Sequence, residues 1–454
     1  MDSTRNTILR IHRRIDVGSV WGIEQMSRSG MQMRILAVFV LAASLVGCHG
    51  GRPDGVPPSV TGAAPVALSQ TALRGDLNGN GLPDIADAIG ILRIVVGLDG
   101  PNPLADADGD GSTSISDAIA VLRCVVGLDE WPIGGLQYEI IDLGTLPAGT
   151  SSTGWSINDA GQAVGSAETA AGTTHAFLYT DAAMIDLGTL PDGFVSHAYA
   201  INNLGQVVGD SETTFGAVHV FRYSVGEMVD LGGGLWAEAY GINNDGGFVG
   251  WRMAGNGQPW AFHYAGGTMN DIGMLPGGTR SVAYDINDLG QIVGEAEAAD
   301  GLMHPFIHSG IHSGGVMTDL GTLPGYAAGD ARQINNAGQV VGTCWSPASI
   351  EQPTYQAYLY SDGEMIGLGT VPGGTGDSWA NGVNDAGQVV GEADMGNGVH
   401  HAFVYSDGRM VDLGTLPGAQ GSSGARAINA SGHIVGWSAC DTGAIRAVIW
   451  RPVQ

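Results

Sequence analysis

The chain has 454 residues, 14% of them charged, and a mean hydropathy of +0.10, which suits packed domains and argues against a disordered chain. All 18 basic residues are arginines, set against 45 acidic ones, and the formal net charge of −27 argues by repulsion against nucleic acid or an anionic membrane surface as a partner. Glycine is over-used, with 75 residues and no collagen triplet, so many turns, close backbone approaches and short strands are expected. Four cysteines, Cys48, Cys124, Cys344 and Cys440, are too few and too scattered for a disulfide framework or a zinc site.

Taken in chain order, the first feature is the apolar run Ile35 to Leu45 behind Arg34, which has the length of a signal-peptide core and is too short to span a membrane. Its ending, Leu45-Val46-Gly47-Cys48, resembles the lipobox of bacterial lipoproteins. The resemblance implies cleavage before Cys48, a lipid on its sulfur and attachment to the outer face of a membrane through that anchor only. Residues 1–30 do not fit as the leader's charged segment, so translation is expected to start at Met31 or Met33, with residues 31–47 as the signal. Residues 48–72, rich in Gly, Pro, Ser and Ala, read as a flexible tether.

Residues 73–130 hold two twelve-residue loops. The first places Asp76, Asn78, Asn80, Gly81, Leu82, Asp84 and Asp87 at positions one, three, five, six, seven, nine and twelve. The second repeats the pattern thirty residues on with Asp106, Asp108, Asp110, Gly111, Ser112, Ser114 and Asp117. This is the ligand spacing of a Ca²⁺ loop: side-chain oxygens at one, three, five and twelve, a backbone carbonyl at seven, a residue or water at nine, and a glycine at six for the sharp turn. Two Ca²⁺ ions are expected. Each loop leads into an apolar helix, Asp87 to Val96 and Asp117 to Val126, whose aliphatic positions suit packing of one half on the other.

The duplicated half-EF-hand, with Leu92-Arg93 and Leu122-Arg123 in its helices, resembles the dockerin domain. That resemblance implies docking to a cohesin-like partner, often in polysaccharide-degrading assemblies. Positions ten and eleven hold Ile85-Ala86 and Ile115-Ser116, where well-studied dockerins usually carry a hydroxyl pair. Calcium binding is untouched by this departure; an internal role, such as a contact with the repeat domain, stands beside cohesin docking.

From residue 137 to 454 the chain is a repeat array. The signature I-N-x-x-G-x-x-V-G begins at Ile157, Ile201, Ile242, Ile286, Ile334, Val383 and Ile428, seven copies spaced 41 to 49 residues apart. A second signature, typified by His175-Ala176-Phe177, and a third, mostly D-L-G-T-L-P, recur once in each copy. Each repeat reads as four short strands, which is the mark of a propeller blade. The array opens on a lone fourth strand, 138–143, and closes after a third strand at Trp450, so the two ends complete one shared blade and remove two open sheet edges. The fold expected is mainly β: a seven-bladed β-propeller with a shared closing blade, preceded by a small α-helical calcium module.

Small residues three positions before each asparagine-bearing turn, Gly154, Ala198, Ala239, Ala283, Ala331, Ala380 and Ala425, mark the innermost strand, where blades converge. The repeats resemble the HAF family of probable extracellular repeats, over about 315 residues, and the family brings no catalytic residues to transfer. The recurring aspartates, Asp142, Asp186, Asp230, Asp271, Asp319 and Asp412, read as strand-end residues, and the recurring histidines, His175, His219, His304 and His401, as structural hydrogen-bonders, with a metal ring as the other reading. No H-E-x-x-H or G-x-S-x-G motif is present.

One position breaks the repeat: Trp155, Tyr199, Tyr240, Tyr284, Arg332, Asn381 and Arg426, four aromatic residues followed by three polar ones. Stacking faces opposite hydrogen-bond donors suit a sugar or a peptide, while packing between blades is the plainer account. The functional expectation is a non-catalytic extracellular calcium-binding surface protein that binds a glycan or a protein. The alternative is a component of a polysaccharide-degrading system, as an accessory subunit or a glycosyl hydrolase.

Overall fold

The computed structural model describes residues 77, 84–102, 105, 107, 113–125, 138–214, 216–309, 315–346, 354–372, 374, 376–396 and 398–453. The leader, Cys48 and the tether lie outside them, as do eight of the loop residues, Asp76, Asn78, Asn80, Leu82, Asp106, Asp108, Asp110 and Ser112. The chain divides into two compact units, residues 1–135 and 136–454. Among the described residues no helix is long and apolar enough to cross a membrane.

In the first unit, helices α1 (Ile85–Val95) and α2 (Ile115–Val125) pack through Ala88, Ile91, Ala118, Val121 and Cys124, joined by Ala105 and Ala107. Both helices start two residues earlier than their sequence suggests. In α1 the reason is a capping box: Asp84 Oδ1 accepts from Ala86 N at 2.6 Å and Asp87 N at 3.1 Å, while Asp87 Oδ2 accepts from Asp84 N at 3.0 Å. With its first orphan amides satisfied, the helix begins at position ten of the loop.

The second unit is seven four-stranded antiparallel sheets in a ring. One blade serves for all: β6 (Ser196–Ile201), β7 (Val207–Glu212), β8 (Val218–Ser224) and β9 (Glu227–Gly232) pair in that order. The closing sheet runs β1 (Tyr138–Asp142), β28 (Ile445–Pro452), β27 (Ile434–Ala439), β26 (Ser423–Ile428), so the N-terminal strand is the outer strand of the last blade, as the offset ends require.

Blade packing explains the three signatures. Ala198 is fully buried on the innermost strand, and at Gly154 even one added carbon would lie 2.6 Å from Val435 Cγ2 in the neighbouring blade. The glycine of V-V-G faces that small residue across the strand pair: a Cβ on Gly209 would lie 1.8 Å from His197 O. On its other side Gly209 pairs with Phe221, whose ring lies in the core between blades. In the turn, Asn202 Oδ1 accepts from Leu204 N and Gln206 N, and Gly205 takes φ +73°.

Serine supplies a joint between blades that the signatures do not reveal. Ser196 Oγ accepts from Ala176 N at 2.8 Å and donates to Gly188 O at 2.6 Å, tying the HAF and D-L-G segments of one blade to the inner strand of the next. Ser152 does the same across the closure, accepting from Ala447 N at 2.9 Å and donating to Gly144 O at 2.5 Å.

Candidate functional site

All seven symmetry-breaking residues sit at the same backbone irregularity. The inner-strand ladder slips between Ala198 and Ala200, and at the matching point in every other blade, so Trp155, Tyr199, Tyr240, Tyr284, Arg332, Asn381 and Arg426 are each the extra residue of a β-bulge. A bulge leaves its residue unpaired and re-aims the side chain. Here the side chains meet around the ring. Trp155 packs edge-on against Tyr199 with centroids 5.8 Å apart and Tyr199 edge-on against Tyr240 at 5.1 Å, while Tyr240 and Tyr284 meet tilted at 5.6 Å. Arg332 lies over Tyr284 at 4.5 Å and Arg426 over Trp155 at 5.2 Å, while Asn381 Nδ2 donates to Ala425 O at 2.9 Å. Six of the seven thus form one continuous belt, and the seventh bridges to the strand that carries Arg426.

Two ends flank this belt, and they differ. At the end where inner strands finish, each turn asparagine donates from Nδ2 to the next asparagine's carbonyl, from Asn158 to Asn202 and so on around to Asn429, which donates to Asn158 at 3.0 Å. Seven buried hydrogen bonds close a circle. A second circle lies beside it, each backbone N–H following the asparagine donating to the Oδ1 of Asn or Asp in the next blade, from Asp159 through Asn203, Asn244, Asp288 and Asn336 to Asp385. Ala430 donates to Asp159 but offers Asp385 no acceptor, so this circle is open at one point. These residues line a cavity of about 190 Å³. Because its polar groups are engaged with one another in near-sevenfold repetition, we assign the cavity a structural role.

At the other end, where inner strands begin, the repeat is abandoned. The facing pairs are Thr153 with Ser166, His197 with Asp210, Glu238 with Trp251, Val282 with Glu295, Asp330 with Thr343, Trp379 with Glu392, and Gly424 with Trp437. Sequence reasoning missed these carboxylates and tryptophans; the signal was their failure to recur four places before each turn isoleucine and one place after each V-G.

These groups are wired to the belt. Glu238 accepts from Tyr240 OH and, at 2.6 Å, from Trp236 Nε1, and Trp251 Nε1 donates to Tyr240 OH at 3.2 Å. Tyr284 OH donates to Glu295 Oε1 at 2.9 Å, and Arg332 binds Asp330 at 2.6 Å. Burial, with the charges of Asp210 and Glu238, drives the Tyr199 hydroxyl far above its ordinary value. Burial and then Asp330 raise Glu295. Burial alone would lower His197, but the hydrogen bond and charge of Asp210, 3.2 Å away, leave it raised.

The recurring histidines stand away from the belt in pairs with the D-L-G aspartates: His175 Nδ1 with Asp186 at 3.0 Å, His219 with Asp230 at 3.0 Å, His304 with Asp319 at 2.8 Å, and His401 with Asp412 at 2.8 Å. The aspartates also hold the strand end, as Asp186 Oδ1 accepts from Gly188 N at 2.8 Å. In the blade where Trp260 stands at the histidine place, Asp271 is held instead by Arg252 of the second strand, so the tie to this aspartate needs no imidazole chemistry.

In the helical unit the described loop residues are Asp84, Asp87, Ser114 and Asp117. Asp87 and Asp117, the position-twelve carboxylates, are fully buried. Asp87 draws both ends of its loop together, accepting from Leu77 N and Asp84 N at 3.0 Å each, and Asp117 Oδ2 accepts from Ser114 N at 2.7 Å. Carboxylate oxygens are the donor type that a Ca²⁺ loop uses at position twelve.

No protein-family model matches the chain, and no curated protein matches it. Among solved structures it is similar to oligogalacturonate lyase from Vibrio parahaemolyticus, at 9% identity over 70% of this chain and 97% of that one, with a TM-score of 0.47. It is also similar to the β-propeller domain of the Trilobed protease from Pyrococcus furiosus, at 12% identity over 55% of this chain and 80% of that one, TM-score 0.38. A putative TolB from Agrobacterium tumefaciens is similar at 11% identity over 49% of this chain and 89% of that one, TM-score 0.35. No activity is carried over from them.

Proposed function

We propose that this chain is a non-catalytic, extracellular, calcium-binding surface protein whose propeller binds a glycan at the end where the inner strands begin. The observation that carries the reading is how completely sevenfold repetition is lost at that end, where all seven facing pairs differ while the asparagine circle opposite is kept in every blade. A ring that served only as structure would gain nothing from seven different residue pairs there, whereas a ligand without sevenfold symmetry needs them. Aromatic faces beside carboxylate acceptors are the contacts a sugar uses, apolar ring face on aromatic ring and hydroxyls on charged oxygens. A protein loop is the other occupant of the same chemistry.

The helical unit is the assembly or support module in this reading. Asp76, Asn78, Asn80, Asp84 and Asp87 with the Leu82 carbonyl would hold one Ca²⁺, and Asp106, Asp108, Asp110, Ser114 and Asp117 with the Ser112 carbonyl a second. The ions would supply the cross-links that so small a core lacks. Ile85 and Ile115 stand 46% and 57% exposed, which supports an apolar contact with a cohesin-like partner. A lipid on Cys48 would hold the chain at the cell surface.

A second reading has a specific observation in its favour. Glu295, raised by burial and by Asp330, is the kind of carboxyl a glycoside hydrolase uses as its acid, and Asp330 supplies a second carboxylate. Incubating the purified chain with a panel of polysaccharides, with Glu295→Gln in parallel, separates the two. The binding reading predicts retention without product; new reducing ends that vanish in Glu295→Gln would establish the enzyme.

A further inference from the structure

Arg332 and Arg426 are the cationic members of the belt, and the fold demands neither, since four blades place aromatic rings at the same bulge and one places Asn381. Arg332 is partly satisfied. It grips Asp330 through Nε and Nη2 at 2.6 Å, rests on the Tyr284 ring, and keeps 44% of its side chain accessible. Arg426 is not satisfied. Its Nε is buried with no hydrogen-bond partner, its closest carboxylate oxygen, on Glu392, stands 3.7 Å away, and its guanidinium leans on Trp155. Burial lowers its pKa, Glu392 offsets this in part, and the charge of Arg332 lowers it further. The two guanidinium groups belong to the same ring of bulges, with the blade of Asn381 between them, and one of them carries a buried donor unmet, which is unfavourable until an anion joins them.

We propose that Arg332 and Arg426 form the seat for a ligand carboxylate, so that the glycan taken at this end is an acidic one built from uronic-acid units. The proposal rests on the glycan reading above and names its substrate class. A planar carboxylate matches the guanidinium fork. Trp155, already touching Arg426, and Tyr199 beside it give the sugar ring its stacking surface, while Asp210 and Glu238 further round accept hydroxyls. Asp330 and Glu392 flank the two arginines, so the seat suits a singly charged carboxylate and disfavours a doubly charged phosphate. A peptide's terminal carboxylate shares the chemistry and forms a separate arm of the test.

Calorimetry on the full chain would use uronate oligosaccharides of several linkages, the carboxyl-reduced counterpart of each, and a peptide with a free C-terminus. The expected result is one uronate series bound at least about tenfold tighter than its reduced counterpart, with Arg426→Gln abolishing that preference and Arg426→Lys restoring part of it. Equal binding of acidic and reduced forms by the native chain would overturn the seat while leaving glycan binding intact, and this comparison needs no variant. Binding of the peptide alone would overturn the substrate class. Binding of no saccharide at all would remove the glycan reading itself.

Discussion

Asp285 occupies the place just before a turn isoleucine and lines the asparagine-end cavity, where its Oδ2 accepts from Ile334 N of the next blade at 3.0 Å. Burial pushes its carboxyl up to about 7, with the Ile334 and Ile286 amides opposing the shift. An unfolded aspartate titrates near 4, so between about pH 4 and 7 the folded chain holds a proton that the unfolded chain has lost. Stability contributed by this group is therefore greatest at acid pH, falls as pH rises through that window and levels off above it. Asp285→Asn keeps an acceptor for Ile334 and removes the charge. In urea titrations it should be more stable than the native chain by about 2 kcal/mol at pH 8 and equal to it near pH 4, the full shift being discounted for the solvent of the adjoining cavity. A difference between the two proteins that does not change with pH would reject this account. The buried Ser196 makes the complementary case. Ser196→Ala strands both Ala176 N and Gly188 O and should cost about 2–3 kcal/mol in the same titration, whereas a loss below about 0.5 kcal/mol would show that the serine is not a joint between blades.

Among the elements, the bulged inner strand separates what was legible in the sequence from what was not. Strand count, strand order, the tight turn and the closing of β1 on the last blade could all be read, because I-N-x-x-G and V-G state turn chemistry and close approach in local residue types. The bulge could not, since an extra residue in a ladder shows only once the partner's register is known. Its absence from the sequence reading hid why Trp155, Tyr199 and their counterparts align around the ring, and it hid the entry-end pairs, whose inner-strand members lie two residues before the bulge but whose partners are set by register. Asparagine was read as a turn residue only; that its Nδ2 joins the next blade depends on the ring itself. The one gap in the outer circle, at Ala430, gives a direct check. Ala430→Asn or Ala430→Asp should supply the acceptor that Asp385 N–H lacks and raise stability by about 0.5–1 kcal/mol. Unchanged or lowered thermal stability in both variants would show that the circle is incidental.

For the molecule as a whole, two compact units imply two unfolding transitions. Chelation with EGTA should lower only the helical unit's transition, because the ions proposed there supplement a small core, seven buried apolar residues among those described, and restoring Ca²⁺ should bring it back. A calorimetric trace indifferent to chelator would remove calcium from the account. The propeller's own claim is that function lies where repetition is broken and structure where it is kept. The most direct measurement is saccharide binding by the native chain, by Tyr199→Ala/Tyr240→Ala at the belt, and by Asp159→Asn/Asp288→Asn/Asp385→Asn at the asparagine end, with folding of each confirmed by its melting curve. The account predicts that binding is lost in the first variant and retained in the second. Binding that survives the belt substitutions and fails with the asparagine-end ones would contradict it and place the site in the cavity.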